Sequence, residues 1–218
     1  MHFDFAQIPA HERYKLLVST VVPRPIALVT TVNAEGRPNA APFSFFNVVS
    51  EDPPLVVLGI GGREPARDGD KDTMRNLRGG GEFVINLVDE PLLAQMNICA
   101  IDFPPEVDEL AAAGLTPMPS LHVAPPGIAE APVRLECREW RSIPVGPQHR
   151  TILIGEVLGM SVREGIVSPE TLRVDIDALA LVGRMHGGGF YVRLTDRIRM
   201  DRVTTLPART PERLEEAQ

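Results

Sequence analysis

The chain has 218 residues, 44% of them hydrophobic and 23% charged, with a net charge of −7. Area scaling predicts that roughly 70% of its surface is buried on folding, enough for a core without disulfides or structural metal. Such values exclude a disordered or fibrous chain. The acidic balance offers nothing to nucleic acid or to an anionic membrane, which both want a basic face.

Cys99 and Cys137 are the only cysteines, too far apart for a Cys-x-x-Cys motif. They suit a reducing compartment with buried thiols. The start, Met1-His2-Phe3-Asp4-Phe5, lacks a basic segment and a long apolar one, so it does not read as a secretory signal. The longest apolar runs, such as Leu55 to Gly62, fall far short of a bilayer span. A soluble, cytoplasmic protein is expected. Of the 22 basic side chains only Lys15 and Lys71 are lysines, which singles those two out.

The elements expected from pattern begin at Pro25. Pro25 to Val32 is apolar and β-branched, a strand, and Asn33-Ala34-Glu35-Gly36 is a turn. Asn39 to Ser50 carries no charge, and Pro42 implies a bent rather than a regular central strand. Asp52-Pro53-Pro54 turns the chain into a buried strand, Leu55 to Ile60, and Glu82 to Val88 forms another. Between them Asp70 or Asp72 caps a short helix through Leu77, stopped by Gly79-Gly80-Gly81. Glu90 to Ala100 and Glu106 to Ala113 are helical by composition, with Gly114 as a stop.

A Pro-rich connector, Pro117 to Pro132, is expected to cross the surface. Val133 to Arg138 then alternates, with Val133, Leu135 and Cys137 on one face and Arg134, Glu136 and Arg138 on the other. Thr151 to Leu158 is its antiparallel partner across a loop from Ser142 to His149. Short strands with few long helices predict a mainly β barrel with short peripheral helices rather than a doubly wound sheet. The expected organisation is one domain over residues 1–206 and a polar tail over 207–218.

Several chemistries are missing from the sequence. There is no His-Glu-x-x-His, no Walker A loop and no Gly-x-Ser-x-Gly. Gly59-Ile60-Gly61-Gly62 lacks the last glycine of a dinucleotide fingerprint, and the five histidines are scattered without metal-ligand spacing.

Three segments combine polar groups with unusual backbone, and each has two readings. Arg24, between Pro23 and Pro25, is stiffly held before a strand and suits a phosphate or carboxylate, or else an ordinary surface ion pair. Ser44-Phe45-Phe46-Asn47 offers an apolar wall with polar edges for a planar heterocycle, or else two core phenylalanines with locally satisfied neighbours. Asp70-Lys71-Asp72-Thr73 suits a phosphate at a helix start, or else a plain cap, with its two aspartates favouring the cap.

Taken in order, Arg24 to Thr30, Asn39 to Asn47, Asp52 to Pro54, and Lys71-Asp72-Thr73 with Asn76 resemble the signature of the flavin reductase-like family of FMN-binding split barrels. Glu82 to Asn86, Asp108 to Gly114, Ala129 to Pro132, Gly155-Glu156-Val157 and Gly183-Arg184 with Gly187, Gly188 and Tyr191 continue it. The resemblance runs from about Tyr14 to Tyr191. It implies a six-stranded split barrel that forms a homodimer, with noncovalent FMN near the subunit interface. By position Arg24, Pro25, Ile26, Ser44, Phe45, Phe46 and Asn47 would border the ring system and ribityl chain. Lys71, Asp72, Thr73 and Asn76 would lie towards the phosphate. A substrate pocket would draw on His149, Arg184, His186 and Tyr191. Two departures stand out: Pro147-Gln148-His149 replaces a Gly-Asp-His, and His186 stands where a small residue is commoner.

The resemblance implies an NAD(P)H:flavin oxidoreductase, with NADH or NADPH as co-substrate and a flavin-dependent monooxygenase or other acceptor downstream. The flavin would carry the chemistry, so no catalytic acid or base is called for. The alternatives are an electron carrier without nicotinamide activity and a flavin-free structural subunit.

Overall fold

The computed structural model describes residues 1–61, 71–78, 80–104, 106–146, 150–200 and 202. In chain order the elements are α1 (Ala10–Thr20), β1 (Ala27–Val32), β2 (Pro38–Phe43), β3 (Phe46–Glu51), β4 (Pro54–Ile60), α2 (Asp72–Leu77), β5 (Glu82–Leu87), α3 (Leu93–Ile98) and α4 (Glu109–Ala113). They continue with β6 (Pro117–Met118), β7 (Gly127–Ile128), β8 (Val133–Val145), β9 (Arg150–Val162), α5 (Ile176–Leu179), β10 (Val182–Arg184) and β11 (Tyr191–Arg193). The protein is mainly β, as expected, but its main sheet has seven strands rather than six, in the order β2-β1-β5-β8-β9-β4-β3.

The extra strand has a simple origin. The uncharged run from Asn39 breaks at Ser44-Phe45 and counts as two strands, β2 and β3. Those two are the opposite edges of the sheet. Laid flat, six interstrand gaps of about 4.8 Å would hold the edges ~29 Å apart. Three Cα steps from Phe43 to Phe46 reach only about 11 Å. The sheet must therefore curl until its edges nearly meet, which makes it a split barrel. Gly59 of β4 donates its N–H to the Phe45 carbonyl at 2.7 Å and seals this join. A Cβ on Gly59 would lie 2.9 Å from that of Phe45, so glycine is required for the approach. Pro42 is tolerated because β2 is an edge strand.

The core has two parts on opposite faces of β1. Ala27 and Val29 face the barrel interior with Phe46, Leu58, Phe83 and Leu153. Ile26 and Leu28 face outward, where Leu92, Met96, Leu110 and Ile128 cover them. This is strand alternation with both faces buried, which explains why β1 is apolar on consecutive positions from Ala27 to Val29 and uncharged along its length.

Helix α1 lies where no element was expected. Of its residues only Val18 is buried, so it leaves no apolar stripe to read. The first cap differs too: Lys71 occupies the N-cap of α2 with no side-chain cap bond, and Asp72 sits in its first turn. Asp70 and Gly79 lie outside the described residues. For α4 the expected stop holds, since Gly114 closes the helix at φ 66°, but the helix starts at Glu109 rather than Glu106, capped by the Asp108 side chain, which accepts the Ala111 N–H at 3.1 Å.

The β8–β9 hairpin runs farther than the alternation suggested. Ser142 pairs with Leu153 and Val145 with Arg150, so the strands absorb most of the expected loop. The second face of β8 is also covered at its start, though Arg138 stays exposed. Arg134 and Glu136 are buried beneath the Pro-rich connector. Glu136 accepts N–H groups from Leu121 at 3.0 Å and from His122 at 2.6 Å. Charged side chains thus pin the connector, which also seats Ile128 and Ala131 in the outer core.

Candidate functional site

Two adjoining cavities open beside the join of the barrel. The larger, about 500 Å³, lies between β2, the start of α2 and the end of α3, with Asn39, Lys71, Asp72, Thr73, Asp102 and Glu109 on its polar walls. The smaller, about 220 Å³, is walled by α1, the β2–β3 join, α3 and the β10–β11 turn, and it includes Tyr14, Ser44, Arg184, His186 and Tyr191. Pro42 and Ala100 line both, so the two meet along a shared wall.

Arg24 lines the smaller cavity but does not present its guanidinium to a ligand. Nη1 donates to the carbonyls of Val18 at 2.6 Å and Val21 at 3.0 Å, at the C-terminal end of α1. Nη2 donates to Met185 O at 2.8 Å, and Nε lies 3.4 Å from Ser44 Oγ. A cation at a helix C-terminus is stabilised by the helix dipole and by the unpaired carbonyls there. Burial lowers the Arg24 pKa from its ordinary value; Tyr14 opposes that shift and the nearby Arg184 adds to it. Arg24 therefore ties α1, the barrel join and the β10–β11 turn together around the cavity.

The rest of the first two segments divides. Ile26 and Phe46 are buried in the two core clusters. Pro25 is exposed. Phe45 is 43% exposed, with its ring centroid 6.4 Å from that of Tyr14. Asn47 is exposed and accepts the Val48 N–H through its own Oδ1 at 2.9 Å.

At the larger cavity Lys71 Nζ lies 6.0 Å from the centre of the Phe43 ring. Asp72 is ion-paired with Arg75. Thr73, nearly inaccessible, lies within 3.5 Å of the Asn39 amide, which donates to Glu109 Oε1 at 3.3 Å. Asn76 donates to Thr31 Oγ1 at 2.9 Å and so fastens α2 to β1.

On the other side Arg184 pairs with Arg24 through both backbone hydrogen bonds, at 2.9 and 2.8 Å. Its Cζ stands 4.6 Å from the centre of the Tyr191 ring, its cross-strand neighbour. The His186 ring is 4.6 Å from that of Phe190. His149 lies outside the described residues. Among the described residues there is no cluster that could hold a metal ion.

Several wall residues had no role in the sequence reading: Tyr14, Asn39, Met96, Ala100, Asp102 and Glu109. Asn39 opens the run that carries the family resemblance, which was a usable signal. The others come from α1, α3, α4 and the segment that follows α3, whose cavity-facing sides are visible only once they dock on the sheet.

The comparisons agree with this architecture. The family model for the flavin reductase like domain matches residues 18–179. In structure the chain is similar to the 2-nitrobenzoate 2-nitroreductase NbaA of Pseudomonas fluorescens, at TM-score 0.85 and 37% identity, covering 96% of this chain and 100% of that one. It is also similar to nitrilotriacetate monooxygenase component B from Bacillus cereus, at TM-score 0.85 and 33% identity, covering 92% and 98%. An uncharacterized protein of Deinococcus radiodurans is 43% identical over 93% of this chain and 90% of its own. The chain belongs to the flavin reductase-like family of split-barrel proteins.

Proposed function

We propose that the protein is an FMN-dependent oxidoreductase that uses NADH or NADPH and holds its flavin across the two joined cavities. The observation that carries this is their shared wall: a polar cavity with a lysine at one end opens past Pro42 and Ala100 into one lined by aromatic and cationic side chains. An amphiphilic ring system with an anionic tail matches that sequence of surroundings. When bound, the flavin supplies the two-electron chemistry, taking a hydride from the nicotinamide and passing electrons to a second flavin or another acceptor.

Lys71 and Thr73 would hold the phosphate, and Asn39 would keep the Thr73 hydroxyl oriented. Asp72, tied to Arg75, orders the start of α2 and is available to ribityl hydroxyls. Pro25, Ile26, Ser44, Phe45, Phe46 and Asn47 make the wall and edge of the ring end, either directly or by fixing the barrel join. Asn76 secures α2. Arg184, His186 and Tyr191 form the side on which nicotinamide or acceptor would dock. A homodimer would cover Phe45, Val48 and Trp140, which are exposed at 43%, 65% and 54%. The name of the 37% identical relative supports counting small organic acceptors beside flavins. A monooxygenase partner is supported in the same way by the component B relative.

The test is stopped-flow spectroscopy of the purified protein. It is expected to be yellow and to bleach on mixing with NADH or NADPH. Yellow protein that neither nicotinamide bleaches, but dithionite does, refutes the reductase and leaves an electron carrier. Colourless protein that takes up no added FMN refutes flavin binding.

A further inference from the structure

A third cavity, about 610 Å³, lies between the β1–β2 turn, α2 and the start of α4. It shares Asn39, Asp72 and Glu109 with the cavity at the phosphate end. The three cavities therefore follow the chain in order: the ring end at Pro42 to Ser44, the phosphate end at Asn39 to Pro42, and the third from Val32 to Asn39. From Ser44 back to Arg37 the extended chain runs roughly 23 Å. FMN stops at its phosphate and leaves the third cavity unclaimed.

The walls of this cavity are built without a ligand. Asn33 Oδ1 accepts the Glu35 N–H at 3.1 Å and the Arg37 N–H at 2.8 Å, which fixes the turn and sets Arg37 on one wall. Asn76 fastens α2 to Thr31, which sets Arg75 and Arg78 on another. Two of the carboxylates here are offset or engaged. Asp72 is paired with Arg75, and the buried Glu109 accepts the Ala40 N–H at 3.4 Å and the Asn39 amide at 3.3 Å. Arg37 and Arg78 are both exposed. Each already has a partner within the protein, so an arriving phosphate exchanges that contact for a charge-assisted, bidentate one. Val32, Pro38 and Val107 add apolar surface for a purine, and the Glu35 carboxylate can accept from ribose hydroxyls.

We propose that the third cavity seats the adenylate half of FAD, with its phosphate at Arg37 and Arg78, so that the site binds the dinucleotide more tightly than FMN. This rests on reading the neighbouring cavity as the flavin's phosphate end. A volume of 610 Å³ falls within the roughly 300–1,000 Å³ of sites that enclose a small molecule. NADH and NADPH carry an adenylate too. Placement favours FAD, because FAD continues through the same phosphate that Lys71 and Thr73 would hold, whereas a nicotinamide docks at the ring end.

The purified protein is dialysed against equal concentrations of FMN and FAD, and the flavin retained is identified by chromatography. FAD is expected to exceed FMN by at least ~10-fold. Arg37→Gln and Arg78→Gln, both at exposed positions, each lower that ratio about 10-fold while the affinity for FMN alone stays as it was. A preference for FMN, equal retention of the two, or an FAD preference that neither variant lowers overturns the proposal. So does a rise in the KM for NADH or NADPH in the variants with the flavin ratio unmoved, which would give the cavity to the nicotinamide's adenylate. Where neither flavin is retained, AMP is titrated calorimetrically into the same protein. AMP binding that Arg78→Gln weakens about 10-fold upholds the adenylate seat and refutes the flavin reading alone. AMP binding that is absent, or unmoved by either variant, overturns both.

Discussion

Arg24 and Arg134 are buried alike, at 7% and 6% exposure, and each guanidinium donates to three backbone carbonyls and one serine hydroxyl. What differs is what they hold. The carbonyls of Arg134 belong to Ile128, Ala129 and Ala131, a few residues up the chain in the connector. Gly127 lies so close that a Cβ there would come 2.7 Å from Arg134 Cδ. Arg134 closes a surface. Arg24 gathers α1, the barrel join and the turn at Met185, which are far apart in sequence and surround an opening. Near-identical bonding thus serves a seal in one place and a frame in the other. A buried arginine is informative through the elements it joins more than through the number of its partners.

Removing each arginine tests that contrast. Arg134→Met strands three carbonyls under a covered loop and is expected to cost about 3–5 kcal/mol of stability. The folded fraction should bind FMN as before. Arg24→Met is expected to cost less, about 2–4 kcal/mol, because acceptors beside the cavity can turn to water. It should also weaken FMN binding, since the walls that Arg24 holds are no longer fixed. Urea unfolding and ligand titration on the two variants decide it. Should Arg134→Met fail to fold, Arg134→Lys keeps the charge and allows the same titrations. A fall in ligand affinity in the Arg134 variant equal to that in the Arg24 variant would dissolve the distinction between seal and frame.

The two ends of the proposed site can be separated by a smaller change. Lys71→Ala removes one charge-assisted contact to phosphate, worth about 1.5–3 kcal/mol, or roughly 10- to 150-fold in FMN affinity. Riboflavin, which has no phosphate, should bind the variant and the parent protein equally. Lys71→Arg need not restore FMN binding. Equal losses for the two flavins would make Lys71 a support of the loop before α2 and leave the phosphate end unassigned.

The strands were legible because apolar, β-branched runs between turn residues have few other uses. Even so, alternation says that a strand has two faces and not what covers the second. Arg134 and Glu136 read as outward-facing, yet they are buried because the connector folds over them. The break at Ser44-Phe45 carries no Gly or Pro of its own, so one bent strand and two edge strands look alike in sequence. Of the site, the residues in rigid or unusual local contexts stood out: Arg24 between prolines, Lys71 as a rare lysine, His186 before a run of glycines. The walls supplied by α1, α3 and α4 did not. Tyr14, Met96 and Glu109 reach the cavities only through docking on the sheet, which no local pattern encodes.

The cysteines extend the comparison of cavity wall and sealed interior at the smallest scale. Cys99 lines the larger cavity, whereas Cys137 packs inside the barrel. Both thiols are pushed up from their ordinary value, first by burial, with Glu109 adding to the shift at Cys99 and Glu136 at Cys137. Cys99 is raised from 9.0 to about 12. A thiol raised in the folded state stays protonated there while the unfolded chain releases its proton, so stability is whole below pH 9 and falls as pH rises towards 12. At pH 9.5 the Cys99 share of that loss is about 0.8 kcal/mol by proton linkage. Cys99→Ala is expected to be less stable at neutral pH but to have a shallower alkaline limb by that amount. FMN bound in the larger cavity should slow thiol labelling of Cys99 and leave Cys137 as unreactive as before. Urea unfolding between pH 7 and 10, with labelling followed by mass spectrometry, provides both readouts. An alkaline limb unchanged in Cys99→Ala would mean that the thiol titrates alike in both states. Labelling of Cys99 that FMN does not slow would place the flavin away from this wall.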